Sequence, residues 1–268
     1  MQIFGILNLT RDSFSDGGRY LDPARAIDHA RRLVADGADV IDVGAQSTHP
    51  DAQQVDDDEQ WRRLEPVITT LVAEGITVSV DTHRPVLMRR ALHAGAAFIN
   101  DVSGLADPQA RAAVRDSTAR LIVMHSCSAQ ARAQRLDVTP ERIMERICAF
   151  FEARIAELSA AGIDRERLIL DPGMGFFLSR NPATSLRVLR ELGRLRALGL
   201  PLLVSTSRKS FIGAVLGDAD GPRPVTERQA GTLASELWAA LHGADYVRTH
   251  EPRPLRDALR VWRAISQA

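Results

Sequence analysis

The stretch ARAIDHARRLVADGADVIDVG, Ala24 to Gly44, holds the reading that decides the fold. An amphipathic helical pattern over Ala24–Asp36 ends in the glycine C-cap signal Asp36-Gly37-Ala38, and the strand pattern Val40–Gly44 follows at once. The same order of helix, glycine and strand recurs at Ala94-Gly95-Ala96, Ala161-Gly162-Ile163 and His242-Gly243-Ala244. Short β-branched runs alternating with amphipathic stretches mark consecutive βα units around parallel strands.

Outward from that stretch, strands are predicted at Ile3–Asn8, Val40–Gly44, Thr77–Asp81, Phe98–Val102, Leu121–His125, Leu168–Pro172, Leu202–Ser205 and Tyr246–Thr249. Helical patterns lie between them at Ala24–Asp36, Trp61–Glu74, Val86–Ala94, Glu141–Ala161, Leu186–Leu198 and Gln229–Leu241, and Leu255–Ala268 closes the chain. Eight units predict an α/β fold, one (β/α)8 TIM barrel over residues 1–268, a length that suits this fold. A doubly wound sheet would place a glycine-rich fingerprint after the first strand, and no G-x-G-x-x-G occurs there. The longest connections follow strands one, two, five and seven, on the face where barrel enzymes build their sites.

Composition narrows the function. With 34 basic and 34 acidic side chains the net charge is zero, so no global field draws the protein to nucleic acid or anionic lipid. Any anion must be held by a local site. No apolar run approaches the roughly 18 residues a membrane span needs, and the N-terminus reads directly as a strand, so a cytoplasmic protein is expected. Cys127 and Cys148 show no zinc or disulfide spacing. The acidic run Asp56-Asp57-Asp58-Glu59 reads as charge favouring a helix N-terminus rather than as a metal site. Trp61, Trp238 and Trp262 fall in helical patterns and read as packing residues, the last two as candidates for a homodimer contact.

The strand ends carry the chemistry. Strand one finishes at Asn8, three at Asp81, four at Asn100-Asp101, five at His125 and six at Asp171-Pro172-Gly173. Strand seven runs into Ser205-Thr206-Ser207-Arg208-Lys209-Ser210 and eight into Arg248-Thr249-His250. A packed strand has no internal reason to end in such groups, because burying one without a hydrogen bond costs a few kcal/mol. Asp81, Asn100 and Asp171 suit the edge of a flat heterocycle, and Arg208, Lys209, Arg248 and His250 supply positive charge for phosphate or carboxylate. A polar ring plus an anion points to a heterocyclic pyrophosphate. Asn8 and nearby loop oxygens are candidates for holding Mg²⁺, which binds few protein ligands alongside substrate phosphates.

In these motifs the chain resembles the dihydropteroate synthase family over nearly its whole length. The segments are Gly5-Ile6-Leu7-Asn8-Leu9-Thr10, Asp12-Ser13-Phe14-Ser15-Asp16-Gly17-Gly18, Gly37-Ala38-Asp39-Val40-Ile41-Asp42, Ser47-Thr48-His49-Pro50, Ser79-Val80-Asp81-Thr82, Asn100-Asp101-Val102-Ser103-Gly104, Met124-His125, Asp171-Pro172-Gly173-Met174-Gly175-Phe176, Ser207-Arg208-Lys209-Ser210-Phe211-Ile212-Gly213 and Arg248-Thr249-His250. The resemblance implies pterin binding by Asp81, Asn100, Met124, Asp171 and Lys209. It implies that Asn8, His49, Arg248 and His250 hold pyrophosphate, Asn8 with Mg²⁺. It implies that Thr48, Pro50, Phe176, Phe177, Ser207 and Arg208 surround p-aminobenzoate, and that Asp81, Lys209, Arg248 and His250 carry the catalysis.

Three departures stand out. Arg11 replaces the family's usual Pro, His49 the usual Arg, and Gly175-Phe176-Phe177-Leu178 lacks the usual Gly-Lys after the first Phe. The last two resemble the sulfonamide-insensitive branch, with Phe177 expected to narrow the p-aminobenzoate pocket. Losing one charge-assisted contact costs about 1.5–3 kcal/mol, or roughly 10- to 150-fold in kcat/KM, which does not abolish catalysis. The competing readings are a pterin-dependent methyltransferase on the same barrel, which needs no pyrophosphate site, and a non-catalytic paralogue.

Overall fold

The computed structural model describes residues 1–10, 22–47, 52–128, 133–134 and 136–268. Eight parallel strands form the inner layer: β1 (Gln2–Asn8), β2 (Val40–Gly44), β3 (Val78–Asp81), β4 (Phe98–Asp101), β5 (Arg120–Met124), β6 (Leu168–Asp171), β7 (Leu203–Val204) and β8 (Tyr246–Thr249). Each predicted strand agrees with these to within one residue at either end. Their hydrogen-bonded order is β6-β5-β4-β3-β2-β1-β8-β7. A bridge between Leu170 and Leu202 joins the two outer members, with the Leu170 N–H donating to the Pro201 carbonyl at 2.9 Å, and so rounds the sheet into a barrel.

The outer layer is α1 (Pro23–Ala35), α2 (Asp57–Ala73), α3 (Pro85–His93), α4 (Pro108–Val114), α5 (Ile143–Ala160), α6 (Pro182–Arg190), α7 (Gly193–Arg196), α8 (Ser210–Leu216), α9 (Gln229–Leu241) and α10 (Pro252–Ser266). Gly37, Gly95, Gly162 and Gly243 follow their helices at φ of 100, 96, 80 and 106°, as the repeated cap signal predicts. After α1 the Ala38 and Gly37 N–H groups return to the carbonyls of Leu33 and Val34, both at 2.9 Å, which satisfies the helix end and turns the chain into β2.

The sequence reading missed two helices and fused two others. α4 begins at Asp107, whose side chain accepts the Gln109 N–H at 2.8 Å, with Pro108 in the first turn, a start signal that was present but short. α8 occupies part of the connection read as a long loop after strand seven. The pattern Leu186–Leu198 is two helices, broken before Gly193 and starting earlier at the Asn181 cap and Pro182. The acidic run does cap α2: Asp56 accepts the Glu59 N–H at 2.9 Å, and Asp57 and Asp58 pair with Arg84 and Arg90 of the α3 region.

Two apolar layers fix the strand faces. Ile3, Leu7, Ile41, Val43, Val80, Ile99, Leu121 and Val123 point outward onto helix residues such as Leu33, Leu64, Ile68, Leu87 and Phe151. Phe4, Val40, Phe98, Ile122, Ile169, Leu203 and Tyr246 form a separate cluster inside the barrel. Because strand side chains alternate, every second residue beyond that inner cluster also faces the barrel axis.

Candidate active site

Counting by two from the inner cluster places Asn8, Asp42, Gly44, Asp81, Asn100, Met124, Asp171, Ser205 and Arg248 on the inward face at the C-terminal ends of their strands. Register brings them side by side: Asn8 lies opposite Gly44, Gly44 opposite Asp81, Asp81 opposite Asn100, and Met124 opposite Asp171. Asp81, Asp171, Lys209 and Arg248 come together on one rim.

Arg248 is the hub of that rim. Its Nη2 donates to Asp81 Oδ2 at 2.9 Å and its Nε donates to Asp42 Oδ2, while Asn100 Nδ2 donates to the same Asp42 oxygen at 3.3 Å. Asp42, fully buried, is the residue that sequence reasoning left out of the site. Its signal was a carboxylate interrupting the apolar run of β2, two residues before the strand end. Burial opposes charge on Arg248, but Asp42, Asp81 and Asp171 outweigh it and hold the guanidinium charged.

Four buried atoms on the inward face, Asp42 Oδ1, Ser79 Oγ, Asn100 Oδ1 and Ser205 Oγ, have no hydrogen-bond partner among the described residues. Each such group costs about 1–3 kcal/mol unless something else satisfies it, so their concentration marks a site built for a polar ligand.

One wall of the mouth is apolar. Phe177 packs with Val102, Met124, Ala133 and Phe176, and Lys209 Nζ stands 5.2 Å from the centre of the Phe177 ring. Asp171 is aimed by its own loop: Oδ1 accepts the Gly173 N–H at 2.8 Å. Gly173 sits at φ 71°, where a Cβ would come within 2.3 Å of the His125 carbonyl, so no other residue fits that turn.

Burial pushes Asp81 up to about 7, with Asp42 and Asp101 adding to the shift and Arg248 and Lys209 opposing it. Asp171 is pushed up to about 6 by burial, against the Gly173 N–H, Lys209 and Arg248. Lys209 is brought down to about 8 by burial and by Arg248, against Asp171 and Asp81. Groups of both signs are thus poised near neutrality in one cavity, a property of sites that handle charge.

Beyond β7 and β8, Ser207 Oγ lies 2.9 Å from His250 Nδ1, and Arg208 Nη2 pairs with Glu251 Oε1 at 3.3 Å. Arg208 adopts φ 59°, a left-handed conformation costing roughly 1–2 kcal/mol, held because Thr232 Oγ1 accepts its N–H at 3.0 Å and Arg228 Nη1 binds its carbonyl at 2.9 Å. Burial and the surrounding cations keep His250 well below the ordinary histidine range, so it is neutral.

Three polar strand-end residues face outward instead. His125 Nδ1 meets the Pro172 carbonyl at 3.1 Å, its ring stands edge-on to Phe150, and burial pushes it down to about 4. Asp101 accepts the N–H groups of Ser103 and Leu105 at 2.7 and 3.0 Å. Thr249 is buried on the outer face of β8. Arg11, Thr48, His49 and Pro50 lie outside the described residues.

Oxygen donors at the rim fit a hard divalent ion. The Asn8 carboxamide makes no hydrogen bond among the described residues, and Gly44 leaves the space between it and Asp81 without a side chain. Among those residues no three His, Cys, Asp or Glu side chains form a metal cluster.

A barrel whose mouth joins amide and carboxylate edges to buried cations is the architecture of the pterin-binding enzymes, and the family described as "Pterin binding enzyme" matches residues 4–250. More narrowly, the chain belongs to the dihydropteroate synthases, which are transferases. It is 50% identical over 266 residues to the type-2 dihydropteroate synthase of Escherichia coli, covering 99% of this chain and 96% of that one. The solved dihydropteroate synthase of Yersinia pestis with a sulfonamide drug superposes with a TM-score of 0.90 at 35% identity, covering 99% of this chain and 94% of the other. That of Xanthomonas albilineans with 4-aminobenzoic acid gives 0.88 at 39% identity, covering 100% and 93%.

Proposed function

We propose that the enzyme condenses 6-hydroxymethyl-7,8-dihydropterin diphosphate with p-aminobenzoate, forming 7,8-dihydropteroate for folate biosynthesis and releasing pyrophosphate. The observation that carries this reading is the set of unpartnered inward-facing atoms of Asp42, Ser79, Asn100 and Ser205 beside Asp81 and Asp171. Donors and acceptors in that arrangement suit the amide and amino edge of a pterin, with Met124 against its flat face and Lys209 above Asp171.

The diphosphate then lies toward Asn8, Arg248 and His250, with His49 on the same group. Mg²⁺, when bound with the diphosphate, offsets the charge that develops on the leaving group. As the C–O bond to the pterin methylene breaks, Arg248 and His250 stabilise the departing oxygens, and the carboxylate of Asp81 stabilises the positive pterin. The aniline nitrogen of p-aminobenzoate forms the new C–N bond, and the proton it loses goes to the released pyrophosphate. Its carboxylate is held by Ser207 and Arg208, and the motif that carries Thr48 and Pro50 assigns them to the same substrate. Release of pyrophosphate from the two substrates, with and without Mg²⁺, is the test; a methyltransferase on the same barrel gives no signal, and a non-catalytic paralogue binds neither substrate productively.

Phe177 stands between Met124 and Lys209, where it reduces the room left for a ring larger than the substrate. On that ground we read the enzyme as sulfonamide-insensitive. Phe177→Gly is expected to lower the inhibition constant of sulfamethoxazole about tenfold, equivalent to about 1.4 kcal/mol. Equal constants reject the idea. Exposed Trp238 and Leu241 on α9, with Val261, Trp262 and Ile265 on α10, support a homodimer through that face, checked by sedimentation of the wild type against Ile265→Glu. Two unpaired cysteines, Cys127 and Cys148, support the expectation of a cytoplasmic enzyme.

A further inference from the structure

Strand β7 runs into the turn Thr206-Ser207-Arg208-Lys209, closed by the Lys209 N–H donating to the Thr206 carbonyl at 3.0 Å. Arg208, third in the turn, is its one left-handed residue, at φ 59°. That is the backbone of a type II turn, whose third position normally takes glycine or asparagine. An arginine there relaxes toward the right-handed region unless its backbone is held, and relaxation would rotate the peptides that join it to Ser207 and Lys209.

Both backbone polar groups of Arg208 are held by the start of α9. Its N–H donates to Thr232 Oγ1 at 3.0 Å, and its carbonyl accepts from Arg228 Nη1 at 2.9 Å. The same Nη1 reaches the Lys209 carbonyl at 3.4 Å, and Nε donates to the Arg223 carbonyl at 2.8 Å. The direction of each bond is fixed, because a guanidinium and a peptide N–H only donate. Arg228 pairs with no carboxylate among the described residues, and backbone carbonyls take all its hydrogen bonds there. Room for the guanidinium comes from Gly213 of α8, where a Cβ would lie 2.5 Å from Arg228 Nε. Further along α9, Ser235 Oγ lies 2.9 Å from Thr206 Oγ1, so Arg228, Thr232 and Ser235 form one polar stripe against the turn.

We propose that Arg228 and Thr232 are positioning residues: by holding Arg208 left-handed they keep Lys209 turned into the barrel mouth, where its Nζ stands 5.2 Å from the centre of the Phe177 ring. The inference rests on the reading above that Lys209 binds the pterin. Neither side chain is placed against substrate, and both act through the backbone of the turn. Strain that a glycine would remove is carried instead by α9, which leaves the Arg208 side chain at the rim, 3.3 Å from Glu251 Oε1.

Lys209 is the only lysine in the chain, so full-length enzyme made with ¹³C-lysine gives a single set of side-chain signals. In the wild type its ε-CH₂ protons should be displaced from free-lysine values by the ring current of Phe177. Thr232→Val and Arg228→Met should return them toward free values and lower kcat/KM for the pterin diphosphate about tenfold, the weight of one strained left-handed residue. Thr232→Ser keeps the acceptor and should leave the signal in place, with kcat/KM within about twofold of the wild type. The discriminating background is Arg208→Gly, since glycine adopts the left-handed form without a clamp. Adding Thr232→Val to Arg208→Gly should leave the Lys209 signal where it was and change kcat/KM by less than about twofold. A Lys209 signal unmoved in Thr232→Val and Arg228→Met, or an equal loss from Thr232→Val with and without Arg208→Gly, overturns the proposal. If the signal moves as expected in a chain that releases no pyrophosphate, the proposed reaction fails and the positioning role stands, because the resonance does not depend on turnover.

Discussion

The two ends of the barrel are built from the same inward-facing register and solve opposite problems. At the N-terminal end Phe4 meets Phe98 and Tyr246 edge to face, with centroids 5.2 and 5.6 Å apart, and Arg120 reaches the Tyr246 hydroxyl. The Tyr246 hydroxyl is thereby satisfied. Toward the C-terminal ends of the barrel strands stand Asp42, Asp81, Asn100, Asp171 and Arg248, with orphaned oxygens and displaced pKa values. One end is finished by packing alone, while the other is held short of satisfaction until a ligand arrives. Stability resides in the first and function in the second.

The sharpest way to break that comparison is to remove its hub. Arg248→Ala leaves Asp42 and Asp81 buried without their cation, so kcat/KM should fall about 10²–10³-fold and stability by about 3–5 kcal/mol. Phe4→Ala, at the other end, should cost a similar 3–5 kcal/mol through its cavity while the folded fraction keeps its kcat. Denaturant titration beside steady-state kinetics separates the two; an active Arg248→Ala would end the distinction.

A smaller effect is expected at Asp81. Its folded pKa, about 7, is raised above the unfolded value, so the wild type loses stability as pH rises from about 4 through 7. Asp81→Asn should lose roughly 10- to 150-fold in kcat/KM yet show a flatter Tm between pH 5 and 8. A Tm profile parallel to the wild type would show that Asp81 does not titrate with a raised pKa in the folded protein.

The smallest change is expected at His125, which faces the helices. With its folded pKa near 4, it is neutral in the fold and protonated when unfolded, so stability is lost as pH falls from about 6.5 to 4. His125→Asn should keep kcat within about twofold and lose less Tm over that window. A large loss of kcat would place His125 with the inward set after all.

How much of this was legible depended on scale. The cap glycines and β-branched runs are local signals, since a helix end needs a left-handed residue whatever surrounds it, and they placed each strand to within one residue. Short α4 and α8 offered too few turns for a periodic pattern, and Gly193 breaks a helix that apolar spacing alone would run through. In the site, Asp81, Asn100, Asp171 and Arg248 were readable because charge at a strand end has no packing reason to exist. Asp42 was not, because it sits inside a strand. His125 and Asp101 show the opposite failure, since polarity alone does not say which face a residue takes.

The sequence by itself determined the eight βα units and the chemistry at their ends, because capping and strand propensity act over a few neighbouring residues. Which side of each strand faces the axis, and that Arg248 bridges Asp42 and Asp81, emerge only once the chain is folded. Those facts depend on closure of the barrel, which brings residues more than a hundred positions apart within hydrogen-bond distance, as for Asp81 and Arg248 at 2.9 Å.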